Sequence, residues 1–335
     1  MSFTLLSASL AFVFSAAVIV VAAISLAFCG DKIGTHSKLG RIWVGSILLA
    51  GTTSLPELVT TITAVRIDAP SLSWGNIIGA NMLNMATLSV MLAIFLKTNF
   101  SAIQQREQLI IGSLVIGLTI IAIGSSYLNI ETKIFVVSPA GACIIMLFLL
   151  YFLLTRKTKQ PSDLTYMDTV KPTSHPLMLT WIWFMCSAVG ILISAPYLAS
   201  SAQALSHYSG LSETFIGVLG LALITTLPEL TTTATALRIK AYDLGISNML
   251  GTNAINIVIL AIADAFYSGG SLFSKFDNSN IVTGLTSILL TVLMILTLYK
   301  TQDGGKTIVR INAFGTPILY CTTVGVIYLM HTTLQ

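Results

Sequence analysis

Apolar residues gather along this chain into ten long runs, near residues 5–29, 42–65, 72–96, 108–128, 133–155, 177–202, 214–237, 244–266, 281–299 and 309–330. About 20 apolar residues of helix cover the ~30 Å hydrocarbon core of a bilayer, so each run predicts one transmembrane helix. A single polar connector of any length, 156–176, carries Pro161, Pro172 and Pro176 and divides the runs into two sets of five. The pattern predicts an all-α membrane protein of ten transmembrane helices, with a five-helix unit at 1–155, a linker at 156–176 and a second five-helix unit at 177–335.

Composition agrees. Of 335 residues, 55% are hydrophobic and only 9% charged, against about 25% charged in a soluble domain; a soluble globular class is excluded. No basic segment precedes the first run, which is expected to stay as the first span rather than act as a cleaved signal. Cys29, Cys143, Cys186 and Cys321 fall in or at the ends of apolar runs without metal or CxxC spacing, and read as packing residues.

The 17 Lys and Arg exceed the 13 Asp and Glu, and their placement sets a topology. Cytoplasmic loops collect Lys and Arg. The odd-numbered connectors carry Lys32, Lys38, Arg41, Lys97, Arg106, Arg156, Lys157, Lys159, Lys171, Arg238, Lys240, Lys300, Lys306 and Arg310, whereas the other side carries only Arg66, Lys133 and Lys275. A split of 14 to 3 supports ten spans, a cytoplasmic linker and both termini outside.

The two halves share one stretch. Thr53-Ser54-Leu55-Pro56-Glu57, running to Asn81 and Asn84, aligns without a gap to Thr225-Thr226-Leu227-Pro228-Glu229, running to Asn253 and Asn256, at a constant offset of 172 residues. Of the 32 aligned pairs from Thr53 to Asn84, 17 are identical. Because five is odd, the second unit enters the membrane in the opposite sense, so the repeats are inverted. Inverted repeats with broken helices meeting near the midplane are a common transporter architecture.

Chemistry concentrates in that stretch. A proline in a helix leaves the carbonyl four residues earlier without its donor, which frees those of Thr52 and Ile224. A lone proline would read as a plain kink; with a glutamate next to it and hydroxyls at Thr53, Ser54, Thr225 and Thr226, a bound cation accounts for more. Glu57 and Glu229 fall near mid-membrane, where a charge costs at least about 2.5 to 3.5 kcal/mol. Arg66 and Arg238 follow nine residues later, over 10 Å along a helix, and read as span-end anchors. Asn81 with Asn84, and Asn253 with Asn256, each sit three apart on one helix face, just after Gly79 and Gly251, which allow close helix approach. Singly, such asparagines serve interhelical hydrogen bonds; together with the glutamates and hydroxyls they form an all-oxygen set that suits Ca²⁺ and Na⁺ and offers nothing soft for zinc or copper.

Other polar residues carry less. Asp264 reads as a helix-end group and Glu213 as a favourable charge at a helix N-terminus. His36, His175, His207 and His331 lie in or near connectors or the terminus, so none reads as a buried proton relay. The linker mixes Asp163 and Asp168 with its basic residues and argues for no nucleic-acid contact.

The paired Thr-Ser-Leu-Pro-Glu and Thr-Thr-Leu-Pro-Glu segments, each followed by Gly-x-Asn-x-x-Asn, resemble the two α-repeats of the calcium/cation antiporter superfamily, specifically the sodium/calcium exchangers. The resemblance covers spans two, three, seven and eight closely. It implies an exchanger in which Na⁺ entry drives Ca²⁺ out, the two ions competing for an overlapping site. It implies as ligands the carboxylates of Glu57 and Glu229, the hydroxyls of Thr53, Ser54, Thr225 and Thr226, the carbonyls of Ala50 and Ala222, and Asn84, Thr252 and Asn256. The chain departs from the family pattern at Thr52 and Ile224, where glycine is usual, at Ala80, where serine is usual, and at Asn84 and Asn256, one of which is often an aspartate in prokaryotic members. The short linker leaves no room for the cytosolic regulatory domain of animal exchangers, and a bacterial or archaeal cell membrane is the implied setting.

Sequence thus leads to a Na⁺/Ca²⁺ antiporter working by alternating access, with the ions and the bilayer as its partners and no cofactor. A cation/proton exchanger is the first rival, since burial favours a protonated carboxyl; a K⁺-coupled exchanger and a passive cation channel follow. No nucleophile with a base and no phosphate loop points to an enzyme.

Overall fold

The structure, a computed structural model, describes residues 3–35, 50–95, 105–128, 131–133, 136–155, 177–240, 242–300 and 306–333. The linker 156–176, the first part of the second predicted span, Lys38, Arg41, Lys97, His36 and His175 lie outside them. The described residues form helices α1 (Leu5–Thr35), α2 (Ala50–Thr53), α3 (Leu55–Arg66), α4 (Pro70–Phe95), α5 (Gln105–Tyr127), α6 (Pro139–Thr155), α7 (Leu177–Ser209), α8 (Glu213–Ile216), α9 (Ala222–Thr225), α10 (Leu227–Arg238), α11 (Tyr242–Asp264), α12 (Asn278–Lys300) and α13 (Lys306–Thr333). A π-helical turn, Gly217–Leu221, joins α8 to α9.

Seven of these helices are long and apolar enough to cross a bilayer, and the bent pair Glu213–Thr225 and Leu227–Arg238 makes an eighth span. The shorter apolar α6 occupies the fifth predicted position, and α2 with α3 the second. Among the described residues the fold is all-α, and the motif-bearing segments α2–α3 and α8–α10 are each broken into consecutive shorter helices.

Both breaks follow from the prolines. Pro56 and Pro228 stand in the first turn of α3 and α10, where a missing N–H costs nothing. The chain turns at Ser54 and Thr226, and each new helix is re-seeded by a bond from Leu58 N to Ser54 O and from Leu230 N to Thr226 O, both 3.0 Å. The second break bends the span by 48°. At the far ends, Asp68 (φ 61°) and Lys240 (φ 64°), again 172 apart, adopt the same left-handed turn. Arg66 ends α3 with its guanidinium 4.9 Å from the centroid of the Phe266 ring, as a span-end anchor should.

Burial sorts the helices into layers. The apolar windows of α4 and α11 are 72% and 83% buried, while those of α1, α7 and α13 are only 22%, 28% and 22% buried. Large apolar side chains such as Phe14, Val21, Met178 and Phe314 therefore face outward, as a lipid-contacting surface requires. The outer pair α1 and α7 pack on each other through Ile19, Ala23, Leu26, Ile191, Ala195 and Leu198. At the centre, α4 presses against the π-helical turn: a Cβ on Gly75 would lie 3.0 Å from Gly217 Cα, and one on Gly79 only 2.6 Å from Val218 Cα. Glycine is required there by contact alone.

Candidate cation site

The four segments with the repeated motif meet at the centre. α4 and α11 pack against each other, and each packs against both broken spans. Glu57 and Glu229 stand in the first turns of α3 and α10, immediately after the breaks, and both are fully buried. The two carboxylates are close enough to feel each other's charge. The hydroxyl of Thr225 lies beside Glu57 and that of Thr53 beside Glu229, so each carboxylate is served by the opposite half. None of the four carboxylate oxygens closes a hydrogen bond of standard geometry.

A helix N-terminus favours a negative charge by about 0.3–1 kcal/mol, and at most ~2. Burying a carboxylate away from water costs several kcal/mol, so the helix ends do not balance the site. The ion pair of Lys275 with Glu131 at 3.4 Å is at the protein surface and does not make up the difference. Among the described residues no side chain is seen to supply the compensating charge, which a proton or a cation from solution would provide.

Uncharged oxygens on the same four segments are also left without partners. Ser54 Oγ, Thr60 Oγ1, Asn84 Oδ1, Thr252 Oγ1 and Asn256 Oδ1 are all buried without a hydrogen-bond partner. Buried orphan acceptors are rare and costly, and oxygens of this kind are what a hard cation takes as ligands. Among the described residues no group of three or more His, Cys, Asp or Glu could hold a metal ion; what the motif segments offer a cation is two carboxylates and neutral oxygens.

The structure divides the sequence candidates. Asn84 and Asn256 keep a free amide oxygen, but Asn81 and Asn253 do not. Asn81 Nδ2 donates to Asn253 O (3.1 Å) and Asn253 Nδ2 to Asn81 O (3.2 Å), a reciprocal clasp between α4 and α11. Asn253 Oδ1 accepts from Asn84 Nδ2 (3.0 Å) and Asn81 Oδ1 from Asn256 Nδ2 (2.9 Å). The expectation of four asparagine ligands is revised accordingly, since two of the four oxygens are already engaged in joining the halves. Ala50 is the first described residue of the second span, and Ala222 follows the π-helical turn just before the second break. The Ala222 carbonyl accepts from both the N–H (3.0 Å) and the hydroxyl (2.7 Å) of Thr226. Ser54, the counterpart of Thr226, makes no such bond, so the halves differ in detail.

Sequence reasoning passed over Asn76, Asn248 and Thr60. Asn76 Nδ2 donates to Thr61 Oγ1 (3.1 Å) and its Oδ1 accepts from Thr225 Oγ1 (3.3 Å), tying α4 to both broken spans. Asn248 Nδ2 donates to Thr233 Oγ1 (3.0 Å) and Thr232 Oγ1 (3.2 Å). The signal for these residues was present, since Asn76 with Asn248 and Thr60 with Thr232 are identical pairs at the repeat offset. Asp264 is a helix-end group: its two oxygens accept from the N–H groups of Ser138 and Leu272, each at 2.6 Å. Ser212 caps the short helix α8 that Glu213 opens, by accepting from Phe215 N at 3.1 Å. All four cysteines are free.

Comparison with known proteins gives a consistent picture. The family model described as sodium/calcium exchanger protein matches residues 7–168 and again 179–329. An uncharacterized membrane protein of Methanocaldococcus jannaschii is 24% identical over 272 residues, 81% of this chain and 83% of that protein. Among solved structures, an H⁺/Ca²⁺ exchanger, CAX, superimposes with a TM-score of 0.67 at 13% identity, covering 98% of this chain and 91% of its own. The sodium-calcium exchanger NCX_Mj, soaked in Na⁺ without Ca²⁺, does so with a TM-score of 0.58 at 19% identity over 96% of this chain and 99% of its own. At these identities the structural likeness establishes the shared fold.

Proposed function

The chain belongs to the sodium/calcium exchanger protein family and is by that membership a multi-pass membrane cation antiporter, and we propose that it exchanges Na⁺ for Ca²⁺ by alternating access at the central site. One observation carries this reading: two fully buried glutamates with unpaired oxygens, from opposite halves, stand on mutually packed helices whose neutral side chains also leave buried oxygens without partners. Two carboxylates balance one divalent ion, and the same oxygens can be shared among monovalent ions when it leaves. In this reading Glu57 and Glu229 bridge Ca²⁺. Ser54, Asn84, Thr252 and Asn256 complete its shell with the hydroxyls of Thr53, Thr225 and Thr226 and the carbonyl of Ala50, while the Ala222 carbonyl is already taken by two hydrogen bonds from Thr226 and Asn81 and Asn253 hold the halves together. The 14-to-3 split of Lys and Arg supports a cytoplasmic linker and outward-facing termini in a cell membrane.

The test is ⁴⁵Ca²⁺ uptake into proteoliposomes loaded with Na⁺, K⁺ or choline at fixed pH, repeated with an imposed proton gradient. Uptake that requires internal Na⁺ is the expected result. Uptake that ignores Na⁺ and follows protons or K⁺ reassigns the coupling ion and leaves the Ca²⁺ site standing. Uptake down the Ca²⁺ gradient alone, with no counterflow acceleration, makes the protein a channel and overturns the reading.

A further inference from the structure

The amides of Asn81 and Asn253 carry an orientation as well as a clasp. The carbonyl of Asn81 can only accept, so the atom of Asn253 that meets it at 3.2 Å is the NH₂ group, and the other amide atom of Asn253 is its oxygen. That oxygen meets Asn84 at 3.0 Å, so the atom Asn84 presents to it is NH₂. What is left of Asn84, buried and without a partner, is its oxygen. The same chain of deduction runs the other way: the Asn253 carbonyl orients Asn81, and Asn81 Oδ1, at 2.9 Å from Asn256 Nδ2, leaves the Asn256 oxygen free. Each backbone carbonyl thus sets the flip of one amide, which sets the flip of the next, and both chains end on an unpaired oxygen.

We propose that Asn253 and Asn81 are positioning residues that act across the repeat boundary, Asn253 holding the Asn84 oxygen and Asn81 the Asn256 oxygen toward the cation. This rests on the reading of Asn84 and Asn256 as cation ligands. An amide is a ligand through one face only; turned by half a rotation it offers NH₂, which repels a cation. Without the clasp an amide ligand has no group to forbid that rotation. A carboxylate in the same place has two equivalent oxygens and needs no such guidance. The crossed wiring also makes each half's ligand depend on the other half, so a cation site shared by two repeats is kept in register by the interface that joins them.

The experiment is a crossed matrix of variants of the full chain in proteoliposomes, scored by the KM for ⁴⁵Ca²⁺. Asn253→Ala and Asn81→Ala are each expected to raise KM by about 10–100-fold, the usual cost of losing a group that orients a metal ligand. Restoration is expected only in the matched doubles, Asn253→Ala with Asn84→Asp and Asn81→Ala with Asn256→Asp. The mismatched doubles, Asn253→Ala with Asn256→Asp and Asn81→Ala with Asn84→Asp, should keep the defect. Equal defects in matched and mismatched doubles would mean a purely structural clasp and overturn the proposal. If Asn84→Ala and Asn256→Ala alone leave KM unchanged, the ligand reading itself fails, an outcome distinct from failed orientation. Asn253→Ser and Asn81→Ser, smaller losses at the same contacts, supply a second set where an alanine variant does not fold.

Discussion

Gly217 offers a sharp quantitative test of the packing that holds the site together. A Cβ at this position would lie 2.8 Å from Gly75 Cα, 2.8 Å from Leu72 O and 2.9 Å from Asn76 N. All three are backbone atoms, so no rotamer change relieves the contact. Ordinary contact begins at 3.4 Å, so the π-helical turn and α4 must part by about 0.6 Å, the difference between 3.4 and 2.8 Å. Overpacking of this kind costs about 1–3 kcal/mol. Gly117, in the middle of α5, is the control: a Cβ there meets nothing within 4 Å, and alanine is favoured over glycine in a helix interior by up to about 1 kcal/mol. One chemical change should therefore have opposite signs at the two positions, separated by about 2–4 kcal/mol. Thermal unfolding of the two variants in detergent measures this directly. Transport should follow, because the Thr225 to Asn76 bond is already 3.3 Å long and does not survive a further 0.6 Å. A Gly217→Ala protein that melts at or above the wild-type temperature would refute the close approach on which the argument depends.

Three further outcomes are expected. Glu57→Gln and Glu229→Gln should each abolish Ca²⁺ transport while the protein remains folded, as size-exclusion chromatography and uptake assays together will show; near-normal flux in both would remove the carboxylates from the mechanism. Thr252→Val, which deletes a buried hydroxyl without a partner but keeps its volume, should raise the melting temperature of the ion-free protein by the equivalent of about 1 kcal/mol or more and raise the KM for Ca²⁺; lower stability with unchanged KM contradicts the assignment. Asp264→Ala strands two buried N–H donors and should cost about 3–5 kcal/mol of stability. Its KM should not move, because Asp264 lies eight residues beyond Asn256, about 12 Å along α11; a KM change without loss of stability would place it in the site.

Much of this protein was legible in its sequence. The lengths of the apolar runs dictated helices, because hydrocarbon forces every backbone group into internal hydrogen bonds. Pro56 and Pro228 dictated where two of those helices break, and the 172-residue offset marked the residues around Glu57 and Glu229 as a matched pair. Those properties are local or periodic, and so a single chain displays them without its fold.

What only the tertiary structure decided is which oxygens remain available. Asn81 and Asn84 have the same side chain, three residues apart on one helix, and nothing in their spacing tells them apart. They diverge because α11 brings the NH₂ group of Asn256 to the Asn81 oxygen, a contact made across 175 residues of chain, and brings no donor to the Asn84 oxygen. Thr226 and Ser54 are likewise counterparts in the repeat, yet one hydroxyl is engaged by the Ala222 carbonyl and the other has no partner. Asn76 entered the site unannounced for the same reason, since its role is to reach Thr61 and Thr225 on two different spans. Hydrogen-bond satisfaction is a property of partners brought together in space, and the sequence names the donors and acceptors without saying which of them will meet.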